Sequence, residues 1–278
     1  MKNILLLAII LALFIQFSCS SYITPALGGA TSIGYIARPT VIDSVLSMTS
    51  ISGSYITAEA KGADLYLNLA EFSLNKGFTT SKFNFGYGIF GVIGKATYSD
   101  ENINSNNSSS FTNEFNNGIY GYGIRATVGF HTINKSERVS FRILNWENSY
   151  SVEKGSYANY RKDLYDSKQS LISDNRIYVS NFTKIYTTGF SSEILFNDLL
   201  NKSAQANIRL FYGFSPGYKE SFRAINGNND YLDVNNRLLG CSLFFKSNKF
   251  NYLAEVLSDA NLTGRLTLGY NLCTSTKK

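Results

Sequence analysis

Residues 82–94, KFNFGYGIFGVIG, put Phe83, Phe85, Tyr87, Ile89, Gly91 and Ile93 on one parity and Lys82, Asn84, Gly86, Gly88 and Gly94 on the other. Successive side chains of a strand point to opposite faces, so the pattern predicts a strand with one aromatic, apolar face and one small, polar face. The run is long for a globular strand. It suits a strand that crosses a bilayer at a tilt, for which roughly 9–11 residues lie in hydrocarbon. The same alternation returns at 119–132, where Tyr120, Tyr122, Ile124, Ala126, Val128 and Phe130 oppose Gly121, Gly123, Arg125, Thr127, Gly129 and His131. It returns again at 139–143 and at 204–214, and it slips at Leu144-Asn145-Trp146. Shorter or weaker versions occupy 51–60, 63–74, 176–196, 237–246, 250–257 and 262–273; in 63–74, Leu65, Leu67 and Leu69 oppose Asp64, Tyr66 and Asn68.

Three stretches break the pattern with polar, Asn- and Ser-rich or charged sequence: 100–117, 153–175 and 216–236. These read as long solvated loops. If 176–196 is one strand, the connections from 82–94 onward alternate long and short until the last. Bacterial outer-membrane barrels have that asymmetry, with short turns on one side and long loops on the other. The expected fold is therefore all-β, a closed antiparallel up-and-down transmembrane β-barrel. Eight strands follow from the alternation alone, the 51–74 hairpin makes ten, and pairing of 33–48 would make twelve. Ten is preferred, with both termini on the side of the short turns.

Alternation does not by itself say which face meets lipid, because a lipocalin-like soluble barrel would turn the same apolar face inward. The polar face is rich in Gly, Asn, Thr and Ser and poor in Lys and Glu, unlike a water-exposed surface. Tyr and Phe gather towards strand ends, as in interfacial girdles. Both features place the apolar face outward and Arg125, Arg142, Arg209, Arg265 and Lys246 in the lumen, with Asp64 and Glu255 as acidic partners. In a narrow barrel such residues form a hydrogen-bonded filling, since a lone buried charge is costly. A surplus of basic groups would alternatively line a narrow anion-preferring pore.

Composition fits this picture: 20 Phe and 19 Tyr stand against one Trp, with 22 Gly and only three Pro among 278 residues. The net charge of +6 is scattered along the chain, which argues against nucleic acid as a partner. Residues 1–18 read as a signal peptide, with Lys2 before an apolar run and small residues after it. Cys19 follows as in the lipobox of bacterial lipoproteins, in the looser form found in Bacteroidetes; ordinary cleavage after Ser18 or Ser20 is the alternative. Residues 19–48 then form a lipidated N-terminal lead-in, and 49–278 the barrel domain. Cys241 and Cys273 are expected as buried apolar residues.

Enzymatic chemistry finds no support. His131 is the single histidine, expected at the short-turn end of its strand, and no His-Glu-x-x-His or Cys-x-x-Cys run occurs. No cofactor is expected apart from lipid on Cys19.

The MKN…FSCSS start, the FNFGYGIFG-type strands and the Asn-rich loops resemble outer-membrane β-barrel lipoproteins of Bacteroidetes. The resemblance implies an exported outer-membrane protein, with acyl chains in the inner leaflet beside the barrel, and no particular activity. The expected role is structural, or that of an accessory subunit in contact with outer-membrane lipids and another barrel or envelope protein. A soluble, lipid-anchored binding barrel is the alternative from another class.

Overall fold

A computed structural model of the chain describes residues 21–39, 45–60, 65–80, 82–98, 115–132, 139–166, 177–197, 204–224 and 236–276. In chain order its elements are β1 (Ser21–Ile23), a four-residue helix α1 (Gly29–Ser32), β2 (Val45–Ala60), β3 (Leu65–Thr79), β4 (Phe83–Tyr98), β5 (Phe115–Thr132) and β6 (Val139–Lys154). There follow α2 (Ser156–Asp166), β7 (Ile177–Ser180), β8 (Lys184–Asn197), β9 (Ala204–Phe214), β10 (Phe222–Ala224), β11 (Arg237–Ser247), β12 (Phe250–Ser258) and β13 (Asn261–Thr276). Ten of the strands close into an antiparallel barrel in the order β2-β3-β4-β5-β6-β8-β9-β11-β12-β13. Closure comes from β13 pairing with β2, where Thr276 meets Val45.

The start of β2 and the end of β13 thus share one end of the barrel, called here the terminal end. The opposite, loop end receives the long connections. The strand count agrees with the ten read from the sequence, with one rearrangement. The segment 176–196 is not a single strand: Ile177–Ser180 leaves the barrel and forms the centre of a small sheet, parallel to β1 and antiparallel to β10. This sheet and α2 cap the loop end.

The parity of side chains is that of a barrel turned apolar side out. Phe83, Phe85, Tyr87, Ile89 and Ile93 of β4 point outward, as do Leu262, Leu266, Leu268 and Leu272 of β13. Phe72 is 66% exposed and Leu266 64%, values no water-soluble core would show. Ten residue steps along such a strand cover about 33 Å, and a tilt near 40° reduces this to an apolar belt about 25 Å tall. The slip at 144–146 is a β-bulge in β6: Arg142 faces Glu193 and Asn145 faces Ser191, so β6 has one residue more than β8 over this interval. Ile143 and Leu144 both point outward as a result, and Arg142 and Asn145 both point in.

The lumen is not polar throughout. Leu65, Leu67 and Leu69, grouped by sequence pattern with the lipid-facing residues, point inward together with Ile56, Phe90, Val92 and Ile119. They are buried because this half of the lumen holds an apolar partner. Ile23 and Leu27 from the N-terminal segment, Val179 of β7 and Tyr157 of α2 complete one cluster with them. The N-terminal lead-in therefore differs from expectation in place and in length. Residues 21–23 join the cap and 24–39 lie inside the barrel, and the first barrel strand already begins at Val45.

Candidate functional site

The filled lumen is the site. Residues 21–39 have little regular structure of their own, so their backbone polar groups need partners elsewhere. The inward side chains of the wall supply them. Near the loop end, the Thr24 hydroxyl donates to Asn261 Oδ1 (2.9 Å), and the Glu153 carboxylate accepts from the amides of Ala26 (2.7 Å) and Leu27 (3.2 Å). Asp259 accepts from the amide of Ala30 (3.0 Å). Midway down, Arg125 donates through Nε to the carbonyl of Ser32 (2.6 Å), and Arg265 donates to those of Thr31 (2.6 Å) and Ile33 (2.6 Å). At the terminal end the carbonyl of Pro39 accepts from Thr79 (2.5 Å) and Arg142 (3.0 Å).

Packing is as close as the hydrogen bonding. A Cβ on Gly34 would stand 2.5 Å from Arg265 Nη1 and 2.6 Å from Arg125 Nη1, so a larger residue there would push the two guanidiniums aside. A Cβ on Gly121 of β5 would stand 2.2 Å from Leu27 Cδ1. At Gly77, Gly86 and Gly121 the polar face is small where the N-terminal segment runs against it.

The arginines form a connected network. Arg125 grips Glu71 with two parallel bonds (2.8 and 2.6 Å), the geometry that makes guanidinium–carboxylate pairs strong. Glu71 lies 3.6 Å from Arg265, which bonds Glu255 (3.0 Å); Glu255 accepts from Arg209 (3.1 Å), and Arg209 holds Glu147 through Nε (2.9 Å) and Nη2 (2.5 Å). This line joins β5, β3, β13, β12, β9 and β6 across the lumen. Nearer the terminal end, Glu193 of β8 bonds Arg142 (2.7 Å) and Arg38 of the N-terminal segment, and Asn207 donates to it (3.2 Å). At the loop end, Arg161 of α2 pairs with Glu153 (2.7 Å) and donates to the carbonyls of Ser180 and Phe182. All these ionic side chains are almost wholly shielded from water, and none of the arginines stands without a carboxylate.

Outside the membrane-height belt, burial dominates the tyrosine phenols of the cap. Tyr157, whose hydroxyl donates to the carbonyl of Thr24 (2.7 Å), and Tyr218 are both held well above the ordinary phenol value by desolvation. Partly buried Tyr160 is pushed up to about 12, first by desolvation and then by neighbouring Tyr98.

Of the residues expected in the lumen, Arg125, Arg142, Arg209, Arg265 and Glu255 are there and joined by one network or its neighbour. Lys246 has the inward parity but sits at the terminal end of β11, partly exposed. Asp64 and Cys19 lie outside the described residues. Cys241, expected to be buried, is exposed on the outer face; the side chain of Cys273 is outside the described set. Charge balance also differs from expectation. Glu71, Glu147, Glu193 and Glu153, with Glu255 and buried Asp259, match the six arginines, and among the described residues no arginine surplus results. Each of the first three lies on the inward parity of its strand, opposite Phe72, Trp146 and Ile194, so the alternation that placed the arginines could place them too. Arg38 and Arg161 had no such signal, since they lie off the barrel strands. Among the described residues no cluster of His, Cys, Asp and Glu could hold a metal ion.

The outer wall is uneven. Phe72 stands between Gly53 of β2 and Gly91 of β4, its cross-strand neighbours, and the space around it is an apolar depression of about 700 Å³. A second depression, about 870 Å³, lies over Ala206, Ile208, Leu243 and Ala254.

No protein-family model matches the chain, and no curated protein matches it. Among solved structures it is similar to the transport unit of the autotransporter AIDA-I from Escherichia coli, at 8% identity over 88% of this chain and 95% of that one, with a TM-score of 0.43. It is also similar to an outer membrane channel from Pseudomonas putida F1, at 8% identity over 86% and 98%, with a TM-score of 0.39. Neisserial surface protein A gives 7% identity over 81% and 96%, with a TM-score of 0.34.

Proposed function

We propose that this chain is an integral outer-membrane barrel closed by its own N-terminal segment, serving an outer-membrane assembly as a structural or accessory subunit and not as a conduit. The observation that carries the reading is the hydrogen-bonded passage of residues 24–39 through the lumen between mutually paired arginines and glutamates. With charges matched and space filled, little is left for a hydrated ion path. The outer wall and the capped loop end are then the surfaces that act. The exposed Tyr and Phe belt, with its depressions beside Phe72 and over Ala206 and Ala254, suits lipid or the apolar wall of a second barrel. Cys19, two residues before the described chain begins, is the proposed point of lipid attachment.

Planar-bilayer recording of the purified protein tests this reading. No ion-conducting steps are expected at moderate voltage; regular steps with anion preference would overturn it in favour of a pore. Cys19→Ala should leave the protein heat-modifiable on gels and resistant to carbonate extraction. Its release into the soluble fraction would instead support a lipid-anchored soluble barrel.

A further inference from the structure

The N-terminal segment crosses the lumen in one direction, and its upstream end emerges where the barrel's own termini do not. Ser21–Ile23 pairs with β7 in the cap over the loop end. Thr24 then bonds Asn261, the first residue of β13, and Ala26 and Leu27 bond Glu153, beside the last residue of β6; both are loop-end positions. Ser32 and Ile33 meet Arg125 and Arg265 in the middle of β5 and β13. Arg38 donates to Asn84, the second residue of β4, and Pro39 accepts from Thr79, the last residue of β3; both are terminal-end positions. Residues 24–30 thus bond the loop end, 31–33 the interior and 38–39 the terminal end, and β2 begins at the bottom at Val45.

We infer that the barrel holds its own N-terminus across the membrane as a through-lumen thread, so that the chain upstream of Ser21 is presented on the same side as the long connections. Which side of the cell that is rests on the outer-membrane reading above; the threading does not. In that orientation the presented end is outside the cell. The proposal reverses one implication of the lipoprotein resemblance. Two residues span at most about 7 Å, so acyl chains on Cys19 would enter the leaflet at the loop end and not the one at the short turns.

The test uses the full chain with a short epitope inserted immediately before Ser21. Reference epitopes are placed at Gly217, exposed at the loop end, and at Asn248, exposed in the terminal-end turn. Antibody binding is compared on intact and permeabilised cells. The expected result is that the Ser21 and Gly217 epitopes are bound on intact cells and the Asn248 epitope only after permeabilisation. Binding at Gly217 on intact cells with the Ser21 epitope hidden until permeabilisation would overturn the threading. Hidden Ser21 and Gly217 epitopes with an exposed Asn248 epitope would uphold the threading and overturn the orientation. A second arm needs no insertion: Thr24→Cys with Asn261→Cys, in a background with Cys241 and Cys273 replaced by Ala, should form an oxidised cross-link in the folded, heat-modifiable protein. A folded barrel that never forms this cross-link would also sink the inference.

Discussion

A guanidinium shut away from water is stable only if its N–H groups find acceptors, and Arg209 shows how the lumen provides them. Its three nitrogens reach the hydroxyl of Ser242 on the adjacent strand β11, and Glu147 and Glu255, inward residues of β6 and β12 one strand further on either side. Such a pair gains little over a well-packed apolar one, but removing a single partner strands a buried charge. Glu71→Ala, which leaves Arg125 without both of its carboxylate bonds, should therefore lower stability by about 3–5 kcal/mol. Urea unfolding in detergent measures this. The same substitution should cost much less in an Arg125→Ala background, because the stranded charge is then absent. The cap offers a pH test of a different kind. Tyr160 has its folded-state phenol pushed up to about 12, so its contribution to stability is fully present below the unfolded value near 10 and is lost as pH rises through about 12. In an alkaline absorbance titration, subtracting a Tyr160→Phe curve should isolate one tyrosinate that forms only near the upper value. A difference curve centred at 10 would mean that α2 does not press this ring against Phe115 and Tyr98.

At the scale of elements, legibility followed the number two. Strands such as β4 and β5, with one face in lipid and one against polar groups, carry a clean alternation, and their faces, lengths and lumen arginines could be read from it. The slip at Leu144-Asn145-Trp146 was visible for the same reason, and it proves to be a bulge that keeps Arg142 and Asn145 on one face. Alternation misled at Leu65, Leu67 and Leu69, which are apolar on the inward parity because Ile23, Leu27 and the cap bury them. It was silent over 21–39, whose backbone is satisfied by wall side chains and so needs no periodic pattern. A deletion series separates a bulge from an ordinary strand position. Removing Ile143 takes out the extra residue and leaves every other side chain of β6 on its own face, so the variant should still fold to a heat-modifiable barrel. Removing Ile124 from the unbulged β5 flips half of that strand, turning Arg125 towards lipid or Tyr122 inward, and should abolish folding. Equal tolerance of the two deletions would contradict the assigned register.

For the whole molecule, the alternation of long and short connections limited the strand number, and closure of β13 on β2 fixes it at ten. What fills that closed wall was not legible, because no sequence period marks a segment whose partners are scattered over many strands. Four of the five glutamates of the network were missed as well, although Glu71, Glu147 and Glu193 obey the rule that revealed the arginines. The account depends on the outward belt meeting lipid while the inward face meets protein. Nitroxide side chains placed singly at positions 83–93 of β4, in protein reconstituted into bilayers, report this most directly through collision with oxygen, which concentrates in lipid, and with a water-soluble nickel reagent. Oxygen accessibility should alternate with a period of two, high at the odd positions 83 to 93 and low at the even positions between them. Odd positions accessible to the nickel reagent, or an alternation of opposite phase, would contradict the account.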